Sequence, residues 1–206
     1  MQHPTINPKD PLVLASRSPR RKRLLEQMRI PFRVVPSLIH EQADEKNLYE
    51  VAKKLAVNKA LDVRPRAGKS WVLGADTIVE IDGIILGKPE DEEHARQMLE
   101  KLSARTHRVL TGFSLVAPDG TLAHVEVVQT EVRVKKLSED EILGYISTGE
   151  PFGKAGSYAI QGIGAFLVES ITGSYTNVVG LPVCALIKAL VGCRALHRYP
   201  IPLSSG

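Results

Sequence analysis

The chain has 206 residues, 43% of them hydrophobic, 24% charged and 5% aromatic, enough apolar material for one sizeable core or two small lobes, which excludes long disorder. Its net charge of +4 permits an anionic partner, but the basic groups outside the first predicted helix are scattered among 23 acids, a balance that suits a nucleotide better than DNA. No apolar run approaches membrane-spanning length and no Cys/His spacing suggests zinc, so a soluble chain in a reducing, cytoplasmic compartment is expected.

Met1 to Asp10 reads as a polar, proline-bearing extension with no apolar signal region. Leu12-Val13-Leu14-Ala15 is a predicted strand, and Ser16-Arg17-Ser18-Pro19-Arg20-Arg21-Lys22-Arg23 turns from it into a helix. Ser18 suits the N-cap, Pro19 the first helical position, and Leu24, Leu25 and Met28 begin a buried face. Free backbone N–H groups and the positive end of the macrodipole meet arginines here, an arrangement that repels itself unless an anion offsets it. The cluster is therefore either a solvated basic helix start or a phosphate site. Phe32 to Val35 reads as a second strand. A helical stripe follows at Leu48, Val51, Ala52, Leu55 and Ala56, opened by Asn47 with Glu50 three residues on. Lys59 continues that stripe, and its ammonium either snorkels to the rim or points at an anion.

Val72-Leu73-Gly74-Ala75-Asp76-Thr77 runs into the alternating Ile78 to Ile81, the turn Asp82-Gly83, and Ile84-Ile85-Leu86-Gly87-Lys88-Pro89. Asp-Gly between apolar alternations predicts a hairpin pairing Ile81 with Ile84, and counting outward sets Thr77 opposite Lys88. Asp76 is a turn residue or a ligand contact, and its small neighbours Gly74 and Ala75 would let a ligand approach the backbone. Gly87-Lys88 is not a phosphate loop of the Walker type, because Pro89 stands where a hydroxyl residue is needed. Ala95, Met98, Leu99 and Leu102 mark an amphipathic helix, and strands are expected at Val109 to Val116 and Leu122 to Val134 around Pro118-Asp119-Gly120. Ser138 with Glu141 is a capping box for a short helix ending near Gly149. Glu150 to Gly180 is turn-rich, with a strand expected at Ala165 to Val168. A helix is expected from Leu181 to Leu196; Cys184 and Cys193 on it stand ~13 Å apart along the axis, too far for a disulfide. Leu203 to Gly206 reads as a flexible tail.

These elements predict an α/β protein, one domain over residues 1–206, with a mixed, largely antiparallel twisted sheet flanked by helices as two lobes around a central cleft. Polar residues that interrupt strand ends, Ser16, Asp76, Thr77, Lys88 and Gln161, are the ones expected to line it.

At these residues the chain resembles a family. Ser16-x-Ser18-Pro19-Arg20-Arg21, Gly74-Ala75-Asp76-Thr77 with Lys88-Pro89, and Lys154-Ala155-Gly156 with Tyr158-x-Ile160-Gln161-Gly162 are similar to motifs of the Maf family of nucleoside triphosphate pyrophosphatases, from Leu12 to Val183 and in order. The resemblance implies an architecture related to that of ITP pyrophosphatases and hydrolysis of a nucleoside triphosphate to monophosphate and pyrophosphate with a divalent metal, magnesium or manganese. It makes Asp76 the residue that activates water, with Glu41 helping to hold the metal, Ser16, Arg21, Lys59 and Lys88 the grip on phosphate, Lys59 and Lys88 catalytic together with Asp76, and Lys154 a further substrate-binding residue. Arg20, Thr77 and Gln161 match the subgroup acting on dTTP and UTP rather than that acting on 7-methyl-GTP. A homodimer is implied, and a link to bacterial septum formation. One position departs: Gly153 stands where the family carries an aspartate before Lys-Ala-Gly.

The chemistry is coherent by itself. Water attacking the α-phosphorus builds charge on phosphate oxygens that cations stabilise, while a carboxylate removes the proton. Glu41 and Asp76 are hard oxygen donors suited to magnesium or manganese, and Asp76 could be base, metal ligand or both. The Gln161 carboxamide offers a donor and an acceptor to the imide edge of uracil or thymine, which an acid cannot do. Two rivals stand beside this reading. A nucleic-acid-binding regulator is disfavoured by few aromatic stacking platforms and the lack of a second basic stripe. A purine pyrophosphatase of the ITP type would share the reaction and differ in the base pocket.

Overall fold

The structure, a computed structural model, describes residues 3–39 and 47–201. A seven-stranded mixed sheet runs β2-β1-β3-β5-β6-β7 with β4 paired to β3. Its strands are β1 (Leu12–Leu14), β2 (Phe32–Val34), β3 (Val72–Ile81), β4 (Ile84–Leu86), β5 (Thr106–Val116), β6 (Leu122–Val134) and β7 (Val168–Thr172). The helices are α1 (Pro19–Gln27), α2 (Leu48–Val63), α3 (Glu92–Leu102), α4 (Glu139–Ser147), α5 (Tyr175–Val179) and α6 (Val183–Gly192). β1 runs parallel to both β2 and β3, while β3–β4 and β6–β7 are antiparallel. Among the described residues no helix is long and apolar enough to cross a membrane.

The chain divides into two compact units. The first comprises Met1–Asp76, Thr111–Val128 and Gly180–Gly206. Its core gathers Val13, Ala15, Ala60, Val63, Ala67, Val72 and Val116, so α2 lies on one face of β1 and β3. Two glycines set how closely it lies. A Cβ on Gly74 would overlap the Ala56 carbonyl oxygen and reach within 2.8 Å of Ala60 N, and one on Gly112 would overlap the Ala52 carbonyl. Ser114 Oγ adds a hydrogen bond to the Ala56 carbonyl at 3.0 Å. The N-terminal extension is docked here: Ile6 is buried and donates to Ala195 O at 2.8 Å, and Trp71 Nε1 donates to Pro4 O at 2.9 Å.

The second unit comprises Thr77–Leu110 and Gln129–Val179. Val79, Ile81, Leu86, Met98, Leu99, Val132, Ile142, Tyr145 and Tyr158 belong to its core. The Asp82-Gly83 hairpin forms with Ile81 opposite Ile84, and both turn residues are left-handed, φ 56° and 79°, which Asp-Gly tolerates well. The ladder stops at Val79–Leu86, so the expected Thr77–Lys88 pairing is not made; the Gly87 carbonyl instead accepts Gly156 N at 3.0 Å. The Ser138–Glu141 capping box forms as expected.

Other expectations are corrected. Asn47 caps α2 by accepting Tyr49 N at 3.0 Å, but Glu50 turns to Lys53 at 2.7 Å rather than closing a box. The strand expected over Ala165 to Val168 begins only at Val168: residues 163–167 form a 3₁₀ turn and β7 follows it, while just ahead of the expected strand the N–H groups of Ile163 and Gly164 are taken by the Glu150 carboxylate. α6 is shorter than expected, starting after Pro182 and ending before the left-handed Arg194 (φ 59°). α5 precedes it, unforeseen.

Candidate active site

In the first unit, α1 begins as its sequence predicts. Ser18 accepts Arg21 N at 3.4 Å as N-cap, and Pro19 occupies the first turn. Ser16 Oγ accepts both Ser18 N at 3.2 Å and Arg21 Nη1 at 3.0 Å, while Arg21 Nε donates to Gly180 O at 2.7 Å. Ser16 and Arg21 are thereby brought together and buried. Arg20 is half-buried, and burial pushes its guanidinium below the ordinary value. The first turn of α1 holds no acidic residue, so its own sequence does not offset the positive end of the dipole.

Asp76 sits on β3 two residues beyond Gly74 and so on the face covered by α2. On α2, Ala56, Lys59 and Ala60 share that face at helical spacing. The consequence is a buried ion pair: Lys59 Nζ lies 2.5 Å from Asp76 Oδ1, with the side chains 9% and 11% exposed. Lys59 therefore turns inward to a carboxylate rather than snorkelling. The parallel register Val13–Val72 and Leu14–Leu73, extended by Ala15 N donating to Leu73 O, sets Ser16 level with Ala75, one residue before Asp76. Ser16 thus lies just past the C-terminal end of β1, and Asp76 stands beside it midway along the longer β3, so the two candidate clusters of this unit are neighbours where β1 ends.

In the second unit, Thr77 is half-buried and Lys88 exposed. Lys154 Nζ donates to the Glu150 carbonyl, and Gln161 is half-buried in the segment between Tyr158 and the 3₁₀ turn. Sequence reasoning missed Tyr145 and Glu150, which hold that segment. Tyr145 OH donates to Glu150 Oε2 at 2.8 Å and accepts Ala159 N at 3.2 Å. Burial alone would raise the Glu150 carboxyl, but donors from Gly164, Tyr145 and Ile163 and the Lys154 charge outweigh it and hold it below the usual range. Gly153, the departing position, has φ 74° with open space around it. Glu41 lies outside the described residues. Among the described residues no three His, Cys, Asp or Glu side chains group as a ready-made metal cage.

Residues 11–193 match the family of Maf-like proteins. A dTTP/UTP pyrophosphatase of Halalkalibacterium halodurans is 51% identical over 181 residues, covering 87% of this chain and 94% of that protein. One from Syntrophotalea carbinolica is 47% identical over 205 residues, 97% of this chain and 93% of that protein. One from Citrifermentans bemidjiense is 50% identical over 180 residues, 87% of this chain and 93% of that protein. A solved nucleoside-triphosphatase (dITP/XTP pyrophosphatase) of Mycobacterium abscessus overlaps with a TM-score of 0.38 at 18% identity, over 61% of this chain and 74% of that one. With its family matched along nearly the whole sequence and relatives at about half identity covering most of it, the chain belongs to the Maf-like proteins.

Proposed function

We propose that this chain hydrolyses dTTP and UTP to the monophosphate and pyrophosphate, a house-cleaning activity. The relatives that carry that name match it over most of their length, and the observation that carries the chemistry is the buried Lys59–Asp76 pair between α2 and β3. In this reading a water oxygen attacks the α-phosphorus, its proton passes to the Asp76 carboxylate, the bond from the α-phosphorus to the bridging oxygen breaks, and pyrophosphate leaves. Ser16, Arg20, Arg21, Lys59, Lys88 and Lys154 offset the growing negative charge on the phosphates, and Arg20, Thr77 and Gln161 select the base.

A divalent cation, magnesium or manganese, belongs to the proposal. Lys59 takes Oδ1 of Asp76, which leaves Oδ2 as a hard oxygen for such an ion, with Glu41 as the second donor. Two carboxylates are enough for a cation that keeps several waters and leans on substrate phosphates. When bound it would neutralise charge on the phosphate oxygens. A homodimer in the cytoplasm is part of the same proposal.

The test is pyrophosphate release from a panel of dTTP, UTP, CTP, ITP and 7-methyl-GTP with magnesium, with manganese and with chelator. Turnover of dTTP and UTP that vanishes in Asp76→Asn and shifts its base preference in Gln161→Glu is expected. Preference for ITP or 7-methyl-GTP overturns the base assignment. No turnover of any nucleotide overturns the enzymatic reading and points to Gly153 as a disabling departure.

A further inference from the structure

We infer that Tyr145 and Glu150 are positioning residues for base selection, clamping the backbone on both sides of Gln161 so that its carboxamide is held in one place. The inference rests on the reading of Gln161 as the base contact. Its geometry is independent of that reading.

Gln161 is followed by Gly162 at φ 84° and ψ −149°, a conformation open only to glycine. Such a segment has many conformations available unless its ends are tied. Here both ends are tied, and to the same two side chains. Two residues before Gln161, Ala159 N donates to Tyr145 OH at 3.2 Å. Two and three residues after it, Ile163 N donates to Glu150 Oε1 at 3.1 Å and Gly164 N to Glu150 Oε2 at 2.7 Å. Tyr145 OH closes the set by donating to Glu150 Oε2 at 2.8 Å.

The fit leaves no slack. A Cβ on Gly162 would overlap Glu150 Oε1, and one on Gly164 would stand 2.5 Å from both Ala159 O and Tyr145 OH. Tyr145 is itself a core residue, 2% exposed, so the clamp is anchored in the packed interior of its unit rather than on another loop. The carboxylate accepts from three donors, which only an ionised group does fully. Burial and the neighbouring carboxylate hold the Tyr145 phenol above its ordinary value, so it stays the donor. The Glu150 carbonyl also accepts Lys154 Nζ, so the base-reading segment and a phosphate-binding candidate share one anchor.

The experiment is kcat/KM for dTTP, UTP and CTP in the wild type, Glu150→Gln, Tyr145→Phe and Gln161→Ala, with each clamp variant also combined with Gln161→Ala. Amide exchange at Ile163 and Gly164 is followed alongside. The expected result is a loss of selectivity for dTTP over CTP of about tenfold in each clamp variant, carried mainly by KM, with faster exchange at both amides. No further loss of selectivity is expected when Gln161 is already alanine. Unchanged selectivity with faster exchange shows a purely structural clamp and overturns the proposal, as does a selectivity loss that persists in full in the Gln161→Ala background. If Gln161→Ala alone leaves selectivity unchanged, the base-reading role fails and the clamp's role in selection fails with it, whereas a Gln161 effect without a clamp effect overturns the clamp alone. Should Glu150→Gln not fold, Tyr145→Phe, which removes one hydroxyl, decides the matter.

Discussion

The carbonyl oxygen of Gly180 lies 2.7 Å from Arg21 Nε, so a residue 159 positions downstream fixes the guanidinium that opens α1. The same guanidinium gives Nη1 to Ser16 Oγ, using its planar fork to bridge two segments. Lysine cannot reproduce that bridge. Arg21→Lys is expected to lower kcat/KM for dTTP by about tenfold or more, mostly through KM. Arg21→Ala should also cost ~1–3 kcal/mol of stability, because the buried Gly180 carbonyl loses its donor. Steady-state kinetics and denaturant unfolding check the two effects separately.

The Lys59–Asp76 pair predicts a separation of stability from chemistry. Lys59→Met leaves an uncompensated carboxylate at an 8% exposed position and is expected to cost about 3–5 kcal/mol. Combining it with Asp76→Asn removes the stranded charge and should restore much of that loss, with a coupling energy of at least about 1 kcal/mol in the cycle. Activity should not return: every variant carrying Asp76→Asn is expected to fall at least about 100-fold in kcat. Recovery of turnover in the double variant would show that the carboxylate is a structural partner only.

Local chemistry was legible in the sequence wherever it is settled within a few residues. Ser18 with Pro19, Asp82-Gly83 and Ser138 with Glu141 each demand one backbone geometry, and each adopts it. Candidate site residues were legible singly, as polar interruptions of apolar runs, but not as partners. Lys59 and Asp76 are 17 residues apart and meet because the bare backbones of Gly74 and Gly112 let α2 lie close on the sheet. The stretch Ala165 to Val168 shows the opposite case: its apolar run favours a strand, and a carboxylate from outside the window captures the N–H groups just ahead of it. Nothing in the local pattern marks Glu150 for that task.

Gly74 predicts a packing defect. Alanine there would push its methyl into the Ala56 carbonyl and to within 2.9 Å of Ala60 Cβ, and neither atom can swing aside, because both are fixed to the helix backbone. α2 would have to lift from the strand, carrying Lys59 with it. Gly74→Ala is expected to cost about 1–3 kcal/mol and to lower kcat through displacement of the Lys59 ammonium. Thermal unfolding and kinetics on the same preparation check this. Gly87→Ala, where a Cβ meets nothing within 4 Å, is the matched control and should leave the melting temperature nearly unchanged.

His107 predicts an acid-labile second unit. Its ring is 1% exposed, shares a 2.8 Å hydrogen bond through Nε2 with the Tyr158 hydroxyl, and has no partner for Nδ1 among the described residues. Burial lowers its pKa from 6.5 to about 4, against a weaker opposing pull from the Glu80 charge. The unfolded chain therefore takes up a proton near pH 6.5 that the folded one refuses until about pH 4. Stability from the neutral ring is complete above pH 6.5 and drains away as the pH falls through that window, by up to ~3 kcal/mol at its lower end. His107→Gln keeps a polar group for Tyr158 but has nothing to titrate there. Urea unfolding of both proteins from pH 7 to pH 4 should give a smaller loss in the variant, the difference approaching one proton in slope near pH 5. Equal slopes would mean that the ring is already charged in the fold.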